Sequence, residues 1–360
     1  MTEYGAALRR RGLELFSFSG GFLWAVRIGA IVVVVWGATA SIAAGRLSFD
    51  QWKSLMVFGL AQGSVYALIA LGYTMVYGVL RFINFAHGEV FMSGAMIGFF
   101  AARELDKHGL WNDRPVLGIF IVLLVTMTTS TAVALLVERV AYRPLRQRPR
   151  LILLITAIGA SFVLQYSFRG LFGAGVKSYP DIDALGGSWR ILGFNVVKSQ
   201  GVVILIAVAM MLLLYTFVER TRTGRAMRAV AEDQETAELM GINVDRTIVT
   251  VFAVGGAMAG VAGLLWGLVF GQVFFFTGFL PGIKAFAAAV LGGIGNIPGA
   301  MLGGLVLGET ESLGPSLVLS GLGVPSAHQL KDVIAFTVLI LVLVFRPTGL
   351  LGERVAEERA

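Results

Sequence analysis

Long apolar runs recur along this chain, separated by short polar knots. A membrane-crossing helix needs about 20 apolar residues at 1.5 Å each. Residues 28–44, 55–79, 116–137, 151–172, 202–218, 248–270 and 333–345 are candidate spans. Three further runs, 90–102, 285–297 and 300–313, are short or interrupted, as half-helices or re-entrant segments would be. The pattern predicts an all-α, polytopic helical membrane protein with roughly eight to ten transmembrane or half-membrane segments.

Composition agrees. The 360 residues are 56% hydrophobic and 14% charged, with 46 glycines and a mean hydropathy of +0.80. Soluble domains carry about 25% charged residues. The absence of cysteine excludes disulfides and thiolate metal sites. The net charge of +7 fits a positive-inside bias, because the arginines flank apolar runs instead of forming a basic soluble module. Nucleic acid is therefore not an expected partner, whereas the lipid bilayer is.

Arginine placement orients the spans. Arg139, Arg143, Arg146, Arg148 and Arg150 follow one run, and Arg220, Arg222, Arg225 and Arg228 follow another. Two spans separate the clusters, so both belong on one side, the cytoplasmic one, and both termini are expected there too. Residues 173–200, with Pro180, Asp181, Asp183, Trp189 and Arg190, then form an outward hydrated loop. Near the start, Arg9, Arg10 and Arg11 precede an apolar stretch ending in Ala38-Thr39-Ala40 and Ala43-Ala44. A cleaved signal and a retained helix both fit; the long region before the apolar core favours retention.

A polar knot, Asn84-Phe85-Ala86-His87-Gly88-Glu89, interrupts the apolar text between 55 and 102. Hydrocarbon cannot solvate a carboxylate or an imidazole, so these groups must meet protein, water or the interface. His87 and Glu89 are two apart, which on a helix turns them to opposite sides and prevents them sharing a metal. An irregular break beside a pathway, with Glu89 near a helix N-terminus, is one reading; an interfacial loop is the other. Asn296 and Pro298 mark a second interruption with the same two readings.

The longest polar stretch, 219–246, runs from basic (Arg220 to Arg228) to acidic (Glu232, Asp233, Glu235, Glu238). Ala226, Met227 and Val230 can share one helical face, and Ala237 and Met240 another, giving a short amphipathic hairpin. Gly241-Ile242 has the form of a helix stop. A solvated loop would explain the polarity, but an apolar face with a designed stop suits docking onto a partner.

Small residues four apart make flat packing faces. Gly263, Gly267 and Gly271, and again Gly295, Gly299 and Gly303, have this spacing, as do Gly256 and Gly260. Gly94-Ala95-Met96-Ile97-Gly98 resembles Gly299-Ala300-Met301-Leu302-Gly303 at an offset of 205, with Gly88 over Gly293. Two pseudo-repeated halves or chance in a glycine-rich chain account for this equally well.

No lysine follows a glycine, so the chain lacks a phosphate-binding P-loop. Energy must come from a partner or an ion gradient. Ion coupling usually needs intramembrane carboxylates or histidines, which are scarce apart from Glu89 and the Glu309/Glu311 pair. Glu309 and Glu311 suit the outer end of a short helix in a surface role. An intramembrane enzyme is disfavoured because no catalytic constellation is present.

Several segments carry a family resemblance. They are the 84–89 knot, Glu138-Arg139-Val140-Ala141-Tyr142-Arg143-Pro144, Ala231-Glu232-Asp233, Gly241-Ile242-Asn243, Lys284-Ala285-Phe286, residues 289–304 and Pro347-Thr348-Gly349. In this order they resemble the LivH-type permeases of bacterial branched-chain amino acid ABC importers, over about 52–352. Glu235, Thr236, Ala237 and Gly241 fit the loose coupling signature of importer permeases, with Thr replacing its second residue.

The resemblance implies a permease in the bacterial inner membrane, and no enzyme. It would pair with a second, LivM-like permease, LivG- and LivF-like ATPases that hold ATP and Mg, and a periplasmic binding protein. This chain would bind no cofactor or metal and would have no catalytic residue. The coupling loop, 219–247, would include Arg225, Arg228, Glu232, Asp233, Glu235, Ala237, Glu238 and Gly241. Asn84, His87, Glu89, Asn296 and Pro298 are the path candidates. Residues 1–51 form an extension with a first helix, 52–352 the permease domain and 353–360 a cytoplasmic tail. The aliphatic substrate rests on the resemblance, and permeases for urea, amides and other amino acids resemble the same family.

Overall fold

The computed structural model describes residues 18–146, 148–191 and 193–352. Arg9 to Arg11 and the tail 353–360 lie outside the described residues. Thirteen α-helices follow one another: α1 (Phe18–Ala43), α2 (Phe49–Leu80), α3 (His87–Lys107), α4 (Leu110–Asp113), α5 (Pro115–Val137), α6 (Arg150–Phe172), α7 (Lys198–Arg220), α8 (Arg222–Glu232), α9 (Gln234–Leu239), α10 (Val244–Phe270), α11 (Phe279–Gly292), α12 (Ile297–Gly314) and α13 (Lys331–Phe345). Among the described residues, seven helices are long and apolar enough to cross a membrane. The shorter α11, with α3 and α12, completes the bundle, in keeping with the expected range. One boundary differs: α11 ends at Gly292, so the run 285–297 crosses a break instead of forming one helix.

The centre is built on α2 and α10, most of whose residues are buried. Backbone contact between small residues makes this possible, since lipid offers no hydrophobic reward for helix association. Gly63 on α2 faces α12 so closely that a Cβ there would lie 2.9 Å from the Gly304 carbonyl oxygen. On α10, Gly256 meets Ser130 and Thr131 of α5, and Gly263 meets Phe91 and Ala95 of α3. Gly267 makes room for the ring of Tyr179, whose hydroxyl donates to the Ala95 carbonyl at 2.5 Å. Gly299 and Gly303 pack against Gly292 and Ala288 of α11.

Two of the expected packing glycines do something else. Gly271 ends α10 at φ +67°, and Gly295 turns the 293–296 link at φ +96°; neither has a neighbour where a side chain would start. Their spacing continues the helical series, but their backbone has left the helix.

Contacts separate the two ends of the bundle. At one end, β1 (Lys177–Ser178) pairs with β4 (Gln272–Val273), and β2 (Ser188–Ile191) pairs with β3 (Phe194–Val197) within 173–200, which was expected as a loop. The Trp111 indole donates to the Pro180 carbonyl there, and Lys53 to that of Gly193. At the other end, Arg146 and Arg143 of the first cluster pair with Asp245, just past the α8–α9 segment that follows the second cluster, and Arg81 donates to the Ala231 carbonyl on α8. The clusters therefore share one side of the molecule.

The helix predicted in the extension packs on a π-helical turn, Pro315–Leu319, that prolongs α12. Ser41 donates to the Ser316 carbonyl at 2.7 Å, and Arg46 to that of Ser320 at 3.0 Å.

The sequence likeness at offset 205 does not carry into equivalent positions. Gly88 lies against Gly278 and Gly282, inside the bundle, whereas Gly293 lies against Thr348 and Gly352 beside the C-terminal segment.

Candidate translocation site where two broken helices meet

Two helices begin inside the bundle. After α2 ends at Leu80, Arg81 takes a left-handed conformation (φ 54°) and residues 82–86 turn back alongside α2. By the time α3 starts, His87 faces Gly72, eight residues, or roughly 12 Å of helix, short of the α2 end. From the opposite end, the segment after α10 descends until Gly278 meets Gly88 and α11 begins. The N-terminal ends of α3 and α11 therefore come together within the protein. Helix N-termini expose N–H groups and a partial positive charge, which suits an anion or a carboxylate.

The knot is held rigidly on one side. Tyr142, from a π-helical turn after α5, donates to Asn84 Oδ1, and its ring packs edge-on against Phe82. The Asn84 carbonyl accepts the His87 N–H at 3.0 Å, and that of Ala86 accepts from Glu89 and Val90. Nearby, buried Glu138 pairs with Arg146 and fixes the same turn to the arginine end.

The other side is under-satisfied. Glu89, only 1% exposed, accepts long hydrogen bonds at Oε1 from Gln165 Nε2 (3.3 Å) and Ser161 Oγ (3.5 Å), both on α6. Glu89 Oε2, Gln165 Oε1 and His87 Nε2 have no hydrogen-bond partner. A cavity of about 260 Å³ lies beside Glu89, bounded by Tyr73, Phe85, Ser161, Phe162, Phe279 and Ile283 among others. His87 points away from it, edge-on to Tyr73 at 4.9 Å and against Gly72 and Gly255.

The sequence placed Asn84, His87 and Glu89 correctly at one break, with Glu89 in the first turn of a helix. It gave no signal for Tyr73, Tyr142, Ser161, Gln165 or Gly278, which reach the knot from other helices. Asn296 and Pro298 do not join this site. Asn296 caps α12, accepting from the Gly299 N–H at 2.8 Å and donating to the Leu351 carbonyl at 2.9 Å; Pro298 occupies the first turn, where its missing N–H costs nothing.

Glu311 corrects another expectation. It is buried on α12 and not at a surface: it accepts from Lys284 Nζ at 2.7 Å and from Tyr66 at 3.1 Å.

The hairpin at the arginine end is built almost wholly from local signals. Thr221 caps α8 by accepting from the Gly224 N–H, and Asp233 caps α9 by accepting from Glu235 and Thr236. Hydrogen bonds from the Thr236 hydroxyl and amide hold the exposed Asp233 carboxyl below its ordinary value of 3.8. The α9 end is a Schellman motif: Ile242 N–H reaches the Ala237 carbonyl, and Gly241, at φ +83°, reaches that of Glu238. Asn243 then caps α10.

Met227, Val230 and Ala237 face inward, while Arg225, Arg228, Glu232, Asp233, Glu235 and Glu238 are exposed. Arg228 pairs with Glu219. Met240 does not share the buried face of Ala237. With Leu239 it stands out from the turn, 78% and 88% exposed respectively, because the stop at Gly241 redirects the chain before another helical turn forms. The Gln234 side chain ties the hairpin back to the Val79 carbonyl, just before the break that leads to the Glu89 site.

Comparison with known proteins fits this architecture. Residues 55–343 match the family described as branched-chain amino acid transport system / permease component. The high-affinity branched-chain amino acid transport system permease protein BraD of Pseudomonas aeruginosa is 44% identical over 306 residues, 84% of this chain and 96% of that protein. The corresponding LivH protein of Escherichia coli is 42% identical over 315 residues, 86% of this chain and 98% of that protein. A LivH of Methanocaldococcus jannaschii is 32% identical, covering 83% and 92%. A bundle of apolar helices with a broken-helix centre, matched over nearly its whole length by such proteins, is a multi-pass membrane protein, and this chain belongs to the branched-chain amino acid transport permease family.

Proposed function

We propose that this chain is a permease subunit of an ABC importer and forms part of the passage for leucine, isoleucine and valine across the bacterial inner membrane. Family membership across residues 55–343 is the observation that carries this reading. The meeting of two helix N-termini beside the under-satisfied Glu89 supplies a place where a small solute can exchange partners with the protein. The α8–α9 hairpin, with Leu239 and Met240 projecting, supplies a rigid surface for an ATPase subunit.

In this assembly a periplasmic binding protein delivers the substrate, a LivM-like permease completes the path, and LivG- and LivF-like subunits bind ATP and Mg. The arginine end, both termini included, faces the ATPases. Solute passing the broken helices would replace the weak bonds at Glu89 with its own polar contacts, while the aromatic and aliphatic walls accept its side chain.

Uptake of labelled leucine into cells with and without this gene tests the proposal, with ATP depleted in parallel. Gene-dependent, ATP-dependent uptake competed by valine and isoleucine is expected. Uptake that survives ATP depletion but fails when the ion gradient collapses would overturn the importer reading. Competition by urea or glutamate instead would keep the permease and change its solute.

A further inference from the structure

A second cavity, of about 220 Å³, lies on the other face of the first turns of α11. Thr277, Leu280, Pro281 and Lys284 border it, whereas Gly278, Phe279, Gly282 and Ile283 border the Glu89 cavity. The start of α11 thus divides two compartments. The second is the nearer to the strand-bearing end: Gln272, of the β4 strand that pairs with β1, lines it.

Its chemistry is unusual for a membrane interior. Buried Lys284 lies between two carboxylates, 2.7 Å from Glu311 Oε1 and 2.6 Å from Asp332 Oδ1. Lys331, at the rim, is 3.6 Å from Glu311. Gln62 and Tyr66, also in the lining, form a directed chain that fixes Glu311 behind it: Gln62 donates to the Tyr66 hydroxyl at 2.9 Å, and Tyr66 donates to Glu311. Lys284, Lys331 and Asp332 line the cavity itself, opposite an apolar wall that includes Trp266, Phe270, Phe276 and Leu280. Two ammonium groups and two carboxylates leave the cluster neutral.

From this arrangement we infer that the cavity is an entry subsite for the zwitterionic head of an amino acid with an apolar side chain; this rests on the permease reading above. The guest carboxylate takes a share of Lys284 and Lys331, its ammonium takes Asp332, and its side chain lies on the aromatic wall. A neutral cluster selects for a zwitterion because each separated charge finds an opposite partner. A carboxylate alone or an amine alone would displace one half of a buried pair and strand the other, and an unpaired buried charge is costly. The volume is below the roughly 300–1,000 Å³ typical of drug-sized ligands, as suits a small solute.

The chain has no cysteine, so a single introduced thiol reports on this cavity alone within the chain. Leu280→Cys, in the full transporter reconstituted with its binding protein, is labelled with N-ethylmaleimide and read from the mass of this chain. Leucine at about four times its dissociation constant should slow labelling about fivefold. Equal concentrations of 4-methylpentanoate or 3-methylbutylamine should leave the rate unchanged. Adding Lys284→Gln should abolish the leucine effect. If that variant does not assemble, Lys331→Gln at the half-exposed rim should weaken it. Equal slowing by all three compounds, or protection that persists in both lysine variants, overturns the subsite. ATP-driven leucine uptake by the unsubstituted transporter in matched vesicles separates the two levels of argument: intact uptake without protection of the thiol removes the subsite only, and absent uptake removes the permease reading on which it rests.

Discussion

The Glu89 site and the α8–α9 hairpin are both polar features of an apolar chain, yet they are finished to different degrees. In the hairpin, Thr221, Asp233 and Asn243 each satisfy helix N–H groups, and Gly241 and Ile242 close the carbonyl end. At Glu89, the buried Glu89 Oε2 and Gln165 Oε1 have no partner and the bonds that exist are long. Buried polar groups normally cost free energy unless paired. The contrast teaches a division of labour. A fully capped element can pass a push without deforming, and an under-satisfied one can trade partners with a passing solute.

The sharpest way to break this comparison is at the tip of the hairpin. Leu239 and Met240 are exposed and make no part of the core. Replacing both by Asp should leave the fold intact while removing the ATPases, since interface anchors of this kind are worth about 2 kcal/mol or more each. Co-purification of the ATPase subunits and ATP-driven uptake should both fall to background. Retained co-purification would mean that the projecting pair is not the docking point and that the rigidity of the hairpin serves some other purpose.

At the other region, Glu89→Ala should uncouple and not dismantle. It leaves Ser161 and Gln165 without their acceptor, a loss of about 1–3 kcal/mol that a bundle of this size tolerates. Leucine carried per ATP hydrolysed should drop roughly tenfold, a change of about 1.4 kcal/mol, while hydrolysis stimulated by the binding protein persists. Glu89→Gln keeps an acceptor oxygen and should recover much of the ratio. An unchanged ratio in the alanine variant would reduce Glu89 to a structural carboxylate.

The same contrast explains what could be read from the sequence. Caps and stops work over two to five residues, so Gly241 and the face of Met227 and Val230 were legible; the equally local cap at Asp233 was hidden because that residue read as one of an acidic run. The break at 84–89 was legible because a polar knot in apolar text has no other explanation. Its partners were not: Ser161 and Gln165 are 72 and 76 residues from Glu89, and nothing local marks a buried Gln as a ligand of that carboxylate. Glu311 suggested a surface residue because Lys284, 27 positions earlier, lies across a helix break. Asn296 suggested the path because, with Pro298, it marks a second interruption of the apolar text, but an Asn before Ile-Pro-Gly is equally a helix cap, and that is its place here. Met240 failed by one turn: Gly241 ends the helix before its face repeats.

A smaller effect probes the rigidity of the hairpin directly. Gly241 has φ +83°, where a Cβ is strained, and no neighbour fills the space. Gly241→Ala should therefore cost about 1 kcal/mol through backbone conformation alone. Amide exchange should quicken at Gly241 and Ile242, whose N–H groups close the Schellman motif, with assembly retained and ATP-driven uptake modestly reduced. If exchange quickens and uptake is untouched, coupling does not need a stiff stop, and the contrast with the Glu89 region loses its functional meaning.

The least effect is expected at Asp233, and its pH dependence gives the sign. Thr236 holds this carboxyl below the ordinary value of 3.8, so the ionised form is the one favoured by folding. A depressed folded value means that its contribution is present above the ordinary value and lost only as pH falls through the lowered one. Between pH 8 and pH 5 the cap should thus stay closed, and exchange at the Glu235 and Thr236 amides, corrected for its intrinsic pH dependence, should not change. Asp233→Asn should behave almost as the parent, because asparagine caps as well as aspartate without needing a charge, while Asp233→Ala should fray the first turn of α9 at every pH. Protection that declines between pH 8 and pH 5 in the parent but not in Asp233→Asn would show that the cap opens near neutral pH. The hairpin would then be as adjustable as the site it is contrasted with, and rigidity could not be what distinguishes the two.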